Sequence, residues 1–345
     1  MAPADRYHRQ MLLPGWGESG QRRLSSSHAL IIGVGALGCV SADLLARAGV
    51  GRLTLVDRDV VEWTNLQRQT LFTERDAGEA LPKAEAARQI AIDAVIADFT
   101  SATATRIATN EAGAWPDVIL DGTDNHQTRL LINDIAVRER VPYLYAGAVA
   151  THGMCMPVLP GEPSMPCLRC LFRDAPPPDA GPTCDTAGVL GPLIAMVAGY
   201  QAGEALKLLL GQTAEVSRTL LDFDPWQGRR RRVTLEGARD PECPCCGHAR
   251  YEFLESGRRG DAIELCGRDA VQITPAAVGP GKLDLEALRA RLDAHGSFES
   301  SPLILRGRLS AEGVNLTVFA DGRTLIHGAG DVSRARSLYN RYIGG

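Results

Sequence analysis

Two sets of residues in this chain come in types and spacings that suit chemistry. The first is a pair of knuckles, Cys167-Leu-Arg-Cys170 and Cys243-Pro-Cys-Cys246. Four thiolates in a double C-x-x-C pattern suit a closed tetrahedral Zn²⁺ site, with Cys245 a competing ligand in the second knuckle. A closed site is structural and pins distant segments together. The second set is a glycine-rich turn, Gly33-Val-Gly35-Ala36-Leu-Gly38, with Asp57 24 residues after Gly33. Glycines at this spacing let a phosphate chain approach the backbone at a helix N-terminus, and a carboxylate at that distance can accept from ribose hydroxyls. By itself this pattern suits NAD as readily as ATP.

The following segment favours phosphate chemistry. Val56-Asp57-Arg-Asp59-Val-Val-Glu62-Trp-Thr64-Asn65-Leu-Gln67-Arg68-Gln69 gathers polar and basic groups just past a strand end. Hydride transfer gives Arg68 no purpose there. Nucleotidyl transfer does, because negative charge spreads over phosphate oxygens in its transition state. Lys83 can reach the same phosphates. Asp121-Gly-Thr-Asp124-Asn125 ends another strand, so its carboxylates are expected to face the ligand crevice. Asp124 suits Mg²⁺, which takes one or two carboxylates beside phosphate oxygens. Cys184 precedes an apolar helix whose dipole favours a thiolate.

These residues need elements to hold them. Residues 29–34 read as a buried strand, 37–48 as a helix and 52–56 as a second strand. A helix over 81–95, a strand at 118–120, a helix over 125–138 and a strand over 141–148 follow. The alternation predicts an α/β fold with a doubly wound, mostly parallel, Rossmann-like sheet. Prolines crowd 161–186, which reads as a long crossing loop, and a buried helix is expected from Gly188. Residues 219–233 alternate like strand. Residues 1–250 form one expected domain and 256–345 a small α+β domain. The latter has strands at 262–273, 303–306, 315–320 and 323–327, and helices over 283–295 and 331–342. Asp321-Gly322 is its hairpin turn and Asp331 a helix N-cap.

The ordered set Arg6-Tyr-His-Arg9-Gln10, Gly33 to Gly38, Asp57-Arg-Asp59, Asn65-Leu-Gln-Arg68-Gln69, Lys83, Asp121 to Asn125 and the cysteine pairs resembles the ThiF/MoeB/HesA adenylyltransferases, relatives of the ubiquitin-activating enzymes. The resemblance covers about residues 5–250. It implies that Gly35, Ala36, Asp57, Asn65, Arg68 and Lys83 bind ATP, with Gly33, Gly38, Asp59, Thr64 and Gln67 lining the same site. It also implies that Asp124 holds Mg²⁺ with Asn125 beside it, and that Cys167, Cys170, Cys243 and Cys246 hold Zn²⁺. Arg9 would enter the other subunit's active site in a homodimer. Ala36 departs from the glycine common at that position. The implied reaction adenylylates the C-terminal glycine of a small ubiquitin-like sulfur-carrier protein ending in Gly-Gly, in thiamine or molybdenum-cofactor biosynthesis. A cysteine at the place of Cys184 can form a thioester or acyl-disulfide link to the carrier. A sulfurtransferase or cysteine desulfurase is a further expected partner. The competing readings are an NAD-dependent oxidoreductase and a zinc-stabilised carrier-binding module without catalysis.

Composition limits the remaining classes. A net charge of -4 gives no electrostatic reason to expect nucleic acid, and Arg229 to Arg232 read as a solvated strand edge or turn. Gln201, Glu204 and Lys207 interrupt the apolar stretch 187–210 at helical spacing, which suits a buried helix rather than a membrane span. The N-terminus has no signal-peptide pattern, so a cytoplasmic protein is expected, and its nine cysteines are not a disulfide scaffold. Cys39, Cys155 and Cys266 read as packing residues. The surroundings of Cys266 lack the Cys-loop of a fused rhodanese. Gly344-Gly345 resembles a carrier tail, but it follows a predicted helix directly, whereas a carrier tail must be extended and free.

Overall fold

The computed structural model describes residues 3–90, 93–174, 184–256, 262–265, 270–275 and 283–344; the side chains of 3–5, 184–185 and 262–265 lie outside that description. The chain forms two compact units, Met1–Gly257 and Arg258–Gly345.

The first unit begins with α1 (Pro3–Met11) and α2 (Gly17–Ser25). Next come β1 (His28–Ile32), α3 (Ala36–Ala48), β2 (Arg52–Asp57), α4 (Glu74–Gly78), α5 (Lys83–Ala86), β3 (Asp93–Ile96) and α6 (Ala104–Ala108). After these are β4 (Val118–Asp121), α7 (His126–Glu139), β5 (Tyr143–Val149), β6 (His152–Val158), α8 (Leu168–Leu171), α9 (Cys184–Ala187) and α10 (Gly191–Leu209). The hairpin strands β7 (Thr219–Asp224) and β8 (Arg229–Thr234), then α11 (Glu252–Glu255), complete the unit.

Its eight strands lie in the order β3-β2-β1-β4-β5-β6-β7-β8. Pairing is parallel from β3 through β5 and antiparallel from β5 to β8. The apolar runs of β1 and β4 are what strands covered on both faces require. One face packs against α3 and α10 through Ile31, Leu45, Leu120, Leu144 and Ala205; the other packs against α7 through Leu30, Ile119, Ile132 and Ile135. The order reverses between β1 and β4, and open α/β sheets bind ligands outside the strand carboxyl ends at that point.

Two expectations are corrected here. The helix expected over 81–95 is not formed. It shrinks to α5 and a 3-10 turn at Ala87–Ile90, and Asp93–Ile96 becomes a strand. The physical reason is tertiary: β2 has an edge to satisfy, and β3 pairs with it from Thr54↔Asp93 to Asp57↔Ile96. The strand expected over 219–233 is a hairpin. In it Asp222 and Asp224 face Arg231 and Arg229 across the pair, and all of β8 is exposed. Among the described residues no helix is long and apolar enough to cross a membrane.

The second unit holds β9 (Ala262–Leu265), β10 (Ala270–Ile273), α12 (Leu285–Leu292), β11 (Gly296–Ser300), β12 (Ile304–Leu309), β13 (Val314–Phe319), β14 (Thr324–His327) and α13 (Val332–Tyr342). The sheet order is β11-β12-β13-β14-β10-β9, antiparallel throughout. α12 and α13 bury Leu288, Leu292, Ala335 and Leu338 with Leu316, Val318 and Ile326 of the sheet. Gly322 has φ +83° in the β13–β14 turn, and the Asp331 carboxylate caps α13 by accepting from the Arg334 N–H. The Gly344 N–H donates to the Tyr339 carbonyl at 2.9 Å, so the chain turns back on α13 there. Gly345 and Cys266 lie outside the described residues.

Candidate functional site

The glycine turn sits at the carboxyl end of β1 and is built backbone against backbone. Gly33 has φ +88°, and a Cβ there would come within 2.7 Å of Gly122. A Cβ on Gly38 would lie 1.9 Å from the Gly33 carbonyl oxygen, and one on Gly122 would lie 2.1 Å from the same atom. Gly35, the N-cap of α3, differs: its Cβ would meet only the Gly122 oxygen, at 3.5 Å. No side chain caps α3, so its first N–H groups face that open side, the arrangement an anion needs. Ala36 is the first, half-buried residue of the helix.

Asp57 ends β2 and braces this turn. Its Oδ2 accepts the Val34 N–H at 2.6 Å and its Oδ1 the Asp59 N–H at 2.7 Å. Burial pushes its carboxyl up, and the nearby Lys83 ammonium opposes that shift. Lys83 opens α5 and is 3% exposed, with Nζ 3.6 Å from Asp59 Oδ2. A buried ammonium needs such a counter-charge. The Lys83 N–H also donates to the Asp59 carbonyl at 2.9 Å, so backbone and side chain both tie α5 to the loop after β2.

That loop is a self-capped turn. Asn65, 2% exposed, accepts the Glu62 N–H on Oδ1 at 3.0 Å and closes a 3-10 turn at Trp63–Asn65. Thr64 and Gln67 are exposed and Arg68 is half-buried, its Nη1 donating to the Thr64 carbonyl at 2.9 Å. Gln69 is buried, and its Oε1 makes no hydrogen bond.

Across the crevice, the turn after β4 corrects one expectation. Asp121 does not face the ligand; it is fully buried. Its Oδ2 accepts from Arg129 Nε at 3.2 Å and the Tyr143 hydroxyl at 2.9 Å, and its Oδ1 accepts from the Thr123 N–H and hydroxyl at 2.8 Å. An unpaired buried carboxylate would be too costly, so Asp121 shapes the turn from beneath. Asp124, three residues on, is exposed, and its charge reaches Arg58 and Arg129. Asn125 caps α7 by accepting the N–H groups of Gln127 and Thr128 at 2.8 and 3.1 Å. Gln201, buried in α10, was missed as a site residue. Its Nε2 donates to the carbonyls of Asp121 and Leu144 at 2.9 and 2.8 Å, and its Oε1 accepts from Ser41 of α3 at 2.8 Å.

Arg9 is exposed on α1, which Gln10 fastens to the Ala48 carbonyl at 2.7 Å. Ala48 ends α3 and the glycine turn begins it, so about 18 Å of helix separates them. Arg9 therefore stays away from the glycine turn of its own chain. Cys184 begins α9, but its side chain lies outside the described residues.

The four knuckle cysteines converge. The Sγ atoms of Cys167, Cys170, Cys243 and Cys246 lie within 4.8 Å of one another, with Cys167–Cys243 at 3.6 Å and Cys170–Cys246 at 3.4 Å. Zn–S bonds of about 2.3 Å in a tetrahedron put sulfurs about 3.8 Å apart, so this donor set fits Zn²⁺. A Zn²⁺ ion held here would take all four sulfurs as thiolates. Cys245, the competing ligand, instead has its sulfur 3.4 Å from Asn133 Nδ2. Asn133 and Asp134 were missed too. Two polar residues inside the apolar run of α7 were the available signal, since buried polar groups must be paired.

A cavity of about 290 Å³ lined by His28, Arg52, Arg88 and Arg106 opens at the amino ends of β1 to β3. That is the wrong end of the sheet for the nucleotide, so the crevice at the carboxyl ends remains the candidate.

The chain is similar to known proteins. The chain is 40% identical to the Bacillus subtilis sulfur carrier protein ThiS adenylyltransferase over 98% of this chain and 99% of that one. It is 40% identical to a sulfur carrier protein adenylyltransferase of Thermus thermophilus over 70% of this chain and 90% of that one. Among solved structures, E. coli MccB with AMPCPP and MccA has the same fold, with a TM-score of 0.59 at 20% identity over 72% of this chain and 75% of that one. Residues 7–245 match the ThiF family, and on that match together with the two relatives the chain belongs to the ThiF family.

Proposed function

We propose that the chain uses ATP to adenylylate the C-terminal glycine carboxylate of a ubiquitin-like sulfur carrier of the ThiS type, which serves thiamine biosynthesis. The observation that carries this is the end-to-end match to the Bacillus subtilis protein, which extends through the C-terminal unit. Relatives named adenylyltransferase and sulfurtransferase MOCS3 match over less of their own length, 57% for the mouse protein.

In the reaction a carboxylate oxygen of the carrier attacks the α-phosphorus of ATP. The bond to the bridging oxygen breaks and pyrophosphate leaves with its electron pair. The nucleophile is already ionised at neutral pH, so no general base is required. The difficulty is bringing two anions together, which positioning and positive charge overcome. Gly33, Gly35, Ala36 and Gly38 present the α3 N-terminus to the phosphates. Asp57 and Asp59 orient the ribose end and the Lys83 ammonium. Thr64, Asn65, Gln67 and Arg68 form the far wall, with Arg68 and Lys83 as the cations. Asp124, with Asn125 beside it, would hold Mg²⁺, which would supply positive charge against the phosphates. Arg9 completes the site of a second copy in a homodimer, which explains its distance from the crevice of its own chain. Zn²⁺ on the four cysteines is structural. The described cysteines form no disulfide, which suits the reducing cytoplasm.

Cys184 acts after adenylylation. Its thiolate attacks the acyl-adenylate carbonyl, forming a thioester and releasing AMP. The outer sulfur of a persulfide on a separate sulfurtransferase or cysteine desulfurase then attacks the thioester carbonyl and expels the Cys184 thiolate. A further thiol reduces the resulting acyl disulfide to the thiocarboxylate. ATP–pyrophosphate exchange with candidate Gly-Gly carriers tests the reading: exchange will depend on a ThiS-type carrier. Exchange with no such carrier defeats the proposal. Cys184→Ser will spare exchange while removing the covalent carrier adduct on non-reducing gels. Loss of exchange in a folded Cys184→Ser protein would show that the division of roles is wrong.

A further inference from the structure

One face of α7 carries two grips, four residues apart. At Arg129, Nε holds Asp121, and Nη2 donates to the carbonyls of Thr123 at 2.7 Å and Ala146 at 3.3 Å. This guanidinium therefore fixes the turn that carries Asp124. Residue 133 lies one turn further along the same face. Asn133 is fully buried, and its Oδ1 accepts the Leu168 N–H at 2.7 Å, beside Cys167 in the first knuckle. Its Nδ2 donates to Cys245 Sγ at 3.4 Å in the second knuckle. Next to it, Asp134 Oδ2 accepts the Phe253 N–H at 2.9 Å and anchors the start of α11.

A single carboxamide thus joins two knuckles that are far apart in the chain, on the helix that also holds the nucleotide turn. Asn133 makes its hydrogen bonds with the Leu168 N–H and Cys245, not with one of the four converging sulfurs. It acts through Leu168 and Cys245, which each adjoin a ligand. A metal held by the knuckles would fix Leu168 and Cys245, and α7 with them. Arg129 then has one place from which to hold the Asp121–Asp124 turn.

We propose that α7 couples the cysteine cluster to the nucleotide crevice, with Asn133 as the positioning residue, so that zinc and nucleotide each tighten the other's binding. The proposal rests on the reading that the crevice takes ATP and the cluster takes zinc. By linkage the two effects must be equal in size, and couplings of this kind are about 5-fold or more.

The test uses the full zinc-loaded chain. Zinc affinity is measured against a chelator buffer with and without α,β-methylene-ATP in excess Mg²⁺. Affinity for the same nucleotide is measured separately on zinc-loaded and zinc-stripped protein. In the wild type, nucleotide should strengthen zinc retention about 5-fold or more, and zinc should strengthen nucleotide binding by the same factor. In Asn133→Ala both factors should fall to near one. A purely structural asparagine would weaken both affinities but leave the factors intact, and that outcome overturns the proposal. If the variant does not fold, the wild type decides alone: binding of both ligands with no mutual effect also overturns it. A chain that binds no zinc or no nucleotide defeats the underlying reading as well, and the separate affinities show which part failed.

Discussion

Asp124→Ala will lower carrier-dependent pyrophosphate exchange by about 10²- to 10³-fold, the usual cost of losing one preorganised charge partner of the transition state. Its stability will stay within about 0.5 kcal/mol of the wild type, as for other surface substitutions. The separation follows from position. The side chain is exposed at the end of a turn whose shape is set by its neighbours Asp121 and Thr123. Asp124→Asn keeps the shape and removes the charge, so it should fall with the alanine variant. Exchange rates and a thermal melt on the same preparations check this. A variant retaining more than about a tenth of the wild-type exchange would assign the metal to other ligands.

Arg129→Ala will have the opposite signature, a collapse of stability of about 3–5 kcal/mol. The loss strands a fully buried Asp121 carboxylate and removes the donor to the Thr123 carbonyl. For the first unit, Met1–Gly257, that is a fall in Tm of about 6–10 °C. The sign of its pH dependence is fixed. Burial already pushes the Asp121 carboxyl up, and Arg129 is the largest influence opposing it. Without Arg129 the carboxyl rises further above its unfolded value. Stability is then retained when Asp121 is protonated and lost as pH rises through the folded pKa. The defect should therefore be smaller in melts at pH 5 than at pH 8. Asp121→Asn in the same chain should recover part of the loss. A defect independent of pH would mean that packing of Arg129 over the Tyr145 ring, 5.3 Å away, matters more than its charge.

Much of this could be read from residue order. The first β-α-β unit is legible because β1 and β2 are continuous apolar runs and a glycine, Gly49 at φ +90°, stops α3. The hairpin turn at Asp321-Gly322 and the Asp331 cap are local chemistry, so they too are legible. What was illegible depends on partners distant in sequence. Ala87 to Ile96 has helical composition, and only the open edge of β2 makes its last residues a strand. Asp121 reads like a site carboxylate, and only Arg129 and Tyr143 show that it is internal. Spacing alone could not rank Cys245 against Cys243 and Cys246. The sulfur that Asn133 engages, 112 residues away, resolves it.

The nested glycines also bear on how this site can change over generations. Gly33, Gly38 and Gly122 each leave no room for a Cβ because another main chain occupies the space. A side-chain clash can be relieved by a second substitution nearby, but a main-chain clash has no such partner. These three positions are therefore closed to stepwise drift. Beside them, Gly35 has space and residue 36 already carries a methyl group. The glycine turn is a fixed pivot with tolerant surroundings. Loops around it can diverge without disturbing the backbone contacts that shape the turn.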